Sequence, residues 1–161
     1  LKRSADTART IAAPHRLPCI PLHDLGEISL GRWEGLTFEE VRREYPEVFQ
    51  LRGLDIVHFS PPEGESFFDC SFRVLPAFHE ILNSSTGNVL IVGHAGVNRI
   101  ILSQALGRPL KELLEIDQEY GCINALVHRH PMLEVELLNG SPSSLKQLQW
   151  TLRAEVRVTL G

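Results

Sequence analysis

Two short stretches of this sequence combine residue types that can handle an anion. The first is Gly93-His94-Ala95-Gly96, which follows the apolar run Asn88 to Val92 and precedes a helix-like stretch ending at Gly107. A strand that turns through bracketing glycines into a helix aims backbone N–H groups and the positive helix end at one point. Anions bind at such a point, and Gly96 lets a ligand come close to the backbone. His94 stands at the mouth, where its ring can donate to a phosphoryl oxygen. On spacing alone, a histidine that merely caps or fills the turn is an equal reading.

The second stretch is Leu25-Gly26-Glu27-Ile28-Ser29-Leu30-Gly31-Arg32-Trp33-Glu34-Gly35. Glu27 has apolar neighbours in a loop, surroundings that raise a carboxylate's pKa and suit a general acid. Taken alone, a surface carboxylate is the commoner explanation. Arg3, four residues before Thr7 near a helix start, offers a planar fork that can hold a phosphate. An isolated arginine is more often simply solvated.

The elements that must position these residues alternate between helix and strand. Ala5 to Ala13 reads as a helix stopped by Pro14, and Cys19 to Leu22 as a short extended piece. Thr37-Phe38-Glu39-Glu40 fits a capping box, opening a helix that runs to about Tyr45, before Pro46. Ser66, with Asp69 three residues on, opens another helix to about Leu82, with Pro76 as an interior break or kink. Asn88 to Val92 is short, wholly apolar after its first residue and β-branched, which predicts a central parallel strand buried on both faces. Pro109 to Ile116 reads as a short helix. Cys122 to His128 and Leu133 to Leu138 read as strands joined by a turn at His130-Pro131. Asn139-Gly140-Ser141-Pro142 reads as a turn or linker, and Glu155 to Leu160 has a period-two pattern without an assigned place.

Composition excludes several function classes. The chain has 161 residues, 16 Lys+Arg against 20 Asp+Glu, and a net charge of −4. Weak acidity without a basic run argues against nucleic-acid binding. No apolar run approaches the roughly 18–20 residues that cross a bilayer, so no membrane partner is expected. Cys19, Cys70 and Cys122 show no Cys-x-x-Cys, and the histidines show no ligand spacing, so no metal or other cofactor is expected. The expectation is a cytoplasmic protein; the sequence carries no mark of oligomeric state.

Taken in order, these pieces resemble the histidine phosphatase superfamily, with its phosphoglycerate-mutase-like fold. The family's Leu-x-Arg-Ala-x-x-Thr-Ala stretch is matched by Leu1-Lys2-Arg3-Ser4-Ala5-Asp6-Thr7-Ala8. Its Leu-x-Glu-x-x-x-Gly-x-Trp-Glu-Gly stretch is matched by Leu25 to Gly35, its Gly-Glu-Ser loop by Gly64-Glu65-Ser66, and its Val-x-His-x-x-x-x-Arg stretch by Val92 to Arg99. The Pro-x-Gly-Glu-Ser loop is most similar to α-ribazole-phosphatase-like enzymes. The resemblance implies a three-layer α/β fold, a mostly parallel sheet with flanking helices, lacking its first strands. It spans 1–140 as a histidine-phosphatase-like domain and leaves 141–161 as a C-terminal extension outside it.

The resemblance also implies roles. Arg3 clamps phosphate, Glu27 protonates the leaving oxygen, and His94 with the Ala95 amide stabilises the phosphoryl group. The substrate is a small phosphorylated metabolite, hydrolysed without a metal through a phosphohistidine intermediate. The family's nucleophile sits in an Arg-His-Gly motif that these 161 residues do not contain. The only Arg-His pair, Arg129-His130, is followed by Pro131, which removes the amide that the glycine position supplies; a surface turn is the better reading. The 161-residue chain alone is therefore expected to be inactive, with the nucleophile in a missing N-terminal segment. Two other functions stay open on the sequence: a non-catalytic phosphate-binding or interaction module, and a mutase that returns the phosphoryl group to its substrate.

Overall fold

The computed structural model describes residues 1–144 and the backbone of Val156–Leu160. Five helices and five strands follow one another as α1 (Lys2–Ala12), β1 (Cys19–Pro21), α2 (Phe38–Glu44), α3 (Pro46–Leu54), α4 (Phe67–Ser84), β2 (Asn88–Val92), α5 (Ala95–Ala105), β3 (Ile123–Arg129), β4 (Met132–Gly140) and β5 (Val156–Leu160). Both expected capping boxes form. Thr37 Oγ1 accepts from the Glu40 amide while the Glu40 carboxylate accepts from the Thr37 amide, and Ser66 and Asp69 do the same at the start of α4. Each box satisfies amides that a helix start leaves orphaned. The helix after Thr37 ends before Pro46, but Pro46 then serves as the first residue of α3, a helix the sequence reading did not separate. α4 continues through Pro76. The bond that Pro76 cannot donate would have gone to the carbonyl of Phe72, an exposed residue to which water has access.

β1, β5 and β2 form a parallel sheet in the order β1-β5-β2, with Cys19 opposite Val158 and Val92 opposite Leu160. Alternate residues of β2 serve opposite faces, as the strand's period of two requires. Leu90 and Val92 pack with Ala8 and Ala12 of α1, and Val89 and Ile91 pack on the larger core built by α4 and α5. The result is the expected three-layer α/β arrangement. The placement of β2 needs correction, however. It lies at the end of the described sheet, not in its centre, and its residues are half-buried. The central position is taken by β5, the only strand among the described residues that hydrogen-bonds two neighbours. The stretch without an assigned place is thus the middle of the sheet, and residues 145–155 and 161 of the C-terminal extension lie outside the described residues.

β3 and β4 form a separate antiparallel hairpin. Its turn carries His130 on the surface, in keeping with a structural role for Arg129-His130-Pro131. Of the expected turn over Asn139-Gly140-Ser141-Pro142, the first two residues end β4, where Asn139 adopts a positive φ of 51°, and the turn itself follows, closed by the Ser144 amide donating to the Ser141 carbonyl at 2.9 Å.

Candidate active site

β2 delivers His94 to the carboxyl end of the sheet, where α/β proteins place ligands. His94 is the N-cap of α5 and is buried, with its carbonyl accepting from the Asn98 amide at 2.8 Å. Ala95 and Gly96 are the first residues of α5, so their amides belong to the first turn, which has no intrahelical partners. Glu27 reaches this turn from a point 69 residues earlier. Its carboxylate accepts from the Gly96 amide at 3.1 Å, the Val97 amide at 3.2 Å and its own neighbour Ile28 at 3.0 Å.

This contact changes two expectations. The apolar surroundings anticipated for Glu27 are, at its carboxylate, three backbone amides and a helix N-terminus. Gly96 gives close approach to the Glu27 carboxylate itself. A Cβ on Gly96 would lie 2.5 Å from Glu27 Oε1 and 3.1 Å from Ile28 Cγ2. The helix end that attracts anions already holds one, and it fixes Glu27 beside His94.

Glu27, Ala95 and Gly96 open onto a cavity of about 440 Å³. Phe38, Phe59 and Phe67 contribute apolar surface, while Arg52 and Arg99 contribute positive charge. Arg52 lies 5.2 Å over the Phe38 ring, and burial lowers its pKa from the ordinary value. Arg99 donates through Nε to the carbonyl of Ile116 at 2.9 Å, which ties α5 to the following turn. Glu65 also lines the chamber but is paired with Arg73, so Glu27, two cations and an apolar wall remain to meet an anion attached to an organic body.

Arg3 is not brought to this cavity. It is exposed on the first turn of α1, and only its backbone makes a described bond, accepting from Thr7 Oγ1. The start of α1 instead borders a second cavity of about 570 Å³, lined by Leu1, Lys2 and Arg9 and reaching the Glu27 loop at Gly26. The structure thus brings Glu27 and Ala95 together at the first cavity and places His94, buried at the N-cap of α5, outside its lining, while Arg3 lies apart from it. Helix α1 packs on the sheet through Ala8 and Ala12, against Leu90 and Val92.

Two segments hold the Glu27 loop in place. Ser29 and Glu65 exchange backbone and side-chain bonds: the Glu65 amide donates to the Ser29 carbonyl at 3.0 Å, and the Ser29 amide donates to Glu65 Oε1 at 2.9 Å. Arg32 donates from its amide to the Pro62 carbonyl and from its guanidinium to Glu63. Gly31, at φ +54°, fits against this pairing because any Cβ there would run into the Pro62 carbonyl. Behind both segments, Trp33 is buried against Tyr45, Phe49 and Phe59. Among the described residues no cluster of His, Cys, Asp and Glu is arranged to hold a metal ion, and no helix is long and apolar enough to cross a membrane.

The sequence reading missed Arg52 and gave no role to Arg73, whose contacts with the Glu27 loop are described below. No local pattern marks either one. The only available signals were their places in helices flanking the Gly-Glu-Ser loop.

The profile described as histidine phosphatase superfamily (branch 1) matches residues 1–141. The chain belongs to the histidine phosphatase superfamily. A 6-phosphofructo-2-kinase/fructose-2,6-bisphosphatase from Caenorhabditis elegans is 39% identical over 93 residues, covering 58% of this chain and 20% of the relative. The 6-phosphofructo-2-kinase/fructose-2,6-bisphosphatase 1 of Rattus norvegicus is 30% identical over 166 aligned positions, covering 96% of this chain and 33% of the relative. The chain thus spans between a fifth and a third of these two relatives. Among solved structures, the alpha-ribazole phosphatase from Shigella flexneri superposes with a TM-score of 0.78 at 27% identity, covering 87% of this chain and 70% of that one. A putative alpha-ribazole-5'-P phosphatase from Escherichia coli gives a TM-score of 0.80 at 26% identity, with the same coverage. The phosphoglycerate-mutase-like α/β fold of this chain is therefore shared with proteins described as alpha-ribazole phosphatases.

Proposed function

We propose that this protein supplies the acid and the anion-stabilising half of a phosphomonoesterase acting on a small phosphorylated metabolite. The observation that carries the proposal is the Glu27 carboxylate, clamped by the Gly96 and Val97 amides in the first turn of the helix that His94 caps and open to a cavity with two arginines. His94 and the Ala95 amide stabilise the transferring phosphoryl group, as preorganised donors do for developing negative charge. Glu27 protonates the leaving oxygen in the first step and takes a proton from the attacking water in the second. The phosphoryl group passes through a histidine of an Arg-His-Gly segment outside these 161 residues, forming and then losing a phosphorus–nitrogen bond. Superfamily membership and the phosphatase activities named for the relatives support hydrolysis. The exposed position of Arg3 gives no support to its role as a clamp, and the cations at hand are Arg52 and Arg99.

The test compares two proteins. The 161-residue chain alone should show no turnover of a model phosphomonoester above background, for lack of an in-line nucleophile. A longer product of the same coding region that carries Arg-His-Gly should hydrolyse it in the presence of EDTA and release free phosphate. His94→Ala and Glu27→Gln should each lower that rate, by about 10²–10³ for a lost stabilising donor. Robust turnover by the 161-residue chain would show that another residue attacks, with His130 the first to replace. A folded longer protein inactive on every phosphomonoester would overturn the hydrolase reading in favour of phosphate binding.

A further inference from the structure

Helix α4 aims one arginine at the loop that carries Glu27. Arg73 follows the Ser66 N-cap by seven residues, and its guanidinium uses all five of its N–H donors. Nε donates to Glu65 Oε2 at 3.1 Å, and Nη2 donates to Glu65 Oε1 at 2.5 Å. Nη1 donates to the carbonyls of Asp24 and Gly26, each at 2.8 Å, and Nη2 also donates to the carbonyl of Glu27 at 3.3 Å. The side chains of Arg73 and Glu65 are 26% and 21% exposed, so water competes weakly for these bonds. Glu65 in turn accepts from the Ser29 amide. The pair therefore grips the chain on both sides of Glu27, at residues 24, 26 and 27 through Arg73 and at residue 29 through Glu65.

Such a grip has a specific consequence. The Glu27 side chain crosses to α5 through bonds to Gly96 and Val97, and a carboxylate on a loop stays at 3 Å from two amides only if its own backbone is fixed. We propose that Arg73, held in register by Glu65, is the positioning residue that sets Glu27 against the N-terminus of α5. This rests on the reading of Glu27 as the acid of a phosphomonoesterase. The device requires a guanidinium. Lysine offers three donors from one point and cannot bridge a carboxylate and three carbonyls in a fixed fork.

The Gly96 and Val97 amides report the outcome directly, because they sit in the first turn of α5 and have the Glu27 carboxylate as their acceptor. In the 161-residue chain labelled with nitrogen-15, their resonances and slow hydrogen exchange should mark this contact, and Glu27→Ala should shift the resonances and remove the protection. Arg73→Lys should leave the α4 and β2 amides protected. It should also move the Gly96 and Val97 resonances toward their Glu27→Ala positions and speed their hydrogen exchange by about tenfold or more. Should Arg73→Lys fail to fold, Glu65→Gln decides, since it keeps the shape and the Ser29 contact but gives Arg73 one acceptor fewer; the same two amides should weaken in it. A folded variant in which Gly96 and Val97 keep the parent's resonances and exchange rates would overturn the proposal. In a longer, active protein, Arg73→Lys should lower kcat with little change in KM. If Glu27→Gln leaves turnover intact there while the amide results hold, the reading of Glu27 as the acid fails and the positioning role stands.

Discussion

Replacing Gly96 with alanine isolates the contact on which the site depends. In an ordinary helix the change stabilises by up to about 1 kcal/mol, because glycine is the poorer helix former. Here the new Cβ would stand 2.5 Å from Glu27 Oε1 and 3.3 Å from its Cδ. The carboxylate, at the end of a flexible side chain, can withdraw by about 1 Å, but its bonds of 3.1 and 3.2 Å to Gly96 and Val97 then exceed hydrogen-bonding range. Bonds to a charged group contribute about 1.5–3 kcal/mol each. A carboxylate that swings toward the open cavity regains water, so the low end applies, about 3 kcal/mol for the pair. Gly96→Ala should therefore destabilise by about 2 kcal/mol, or about 4–8 °C in Tm for a chain of this size.

The decisive comparison is the same substitution in a Glu27→Ala background. With no carboxylate to displace, Gly96→Ala should become neutral or mildly stabilising, and the Ile28 Cγ2 contact at 3.1 Å is common to both backgrounds. Urea unfolding of the four proteins, followed by circular dichroism, gives the coupling energy, expected near 3 kcal/mol. Equal effects of Gly96→Ala in the two backgrounds would refute the claim that the glycine exists to admit Glu27.

Two further outcomes follow from side chains around the site. Burial pushes the Cys70 thiol up to about 12, so in the native protein at pH 8 a disulfide reagent should modify the half-buried Cys19 and Cys122 well before Cys70, which should react only on unfolding. The Asp69 carboxyl is held below its ordinary 3.8 by its bonds to the Ser66 hydroxyl and amide. A carboxyl with a depressed folded-state pKa adds stability above the unfolded value and loses it as pH falls through the folded one. The Tm difference between the parent and Asp69→Asn should thus be largest above pH 5 and shrink as pH drops below about 4, and a difference independent of pH would contradict the capping-box account.

The sequence by itself determined what local physics controls. Thr37 with Glu40 and Ser66 with Asp69 announce helix starts because both partners of a capping box lie within one turn. Asn88 to Val92 reads as a strand from composition, and Gly93-His94-Ala95-Gly96 reads as an anion-seeking helix entry from turn chemistry. The family resemblance in the order of the motifs carried the fold class. Tertiary structure decided what depends on distant partners. The Gly96 and Val97 amides bind Glu27 across 69 and 70 residues, and Arg73 grips backbone carbonyls 46 to 49 residues earlier. A carbonyl acceptor leaves no trace in residue identity, so no pattern marks Arg73 as the residue that holds the loop. Strand order was equally hidden. A parallel strand needs its edge partners brought together through long crossovers, and the period-two stretch at 156–160 shows neither that it takes the centre of the sheet nor that it moves β2 to the end. Arg3 illustrates the same limit from the other side: its type suits a phosphate, but the direction of α1 on the sheet decides where its first turn points.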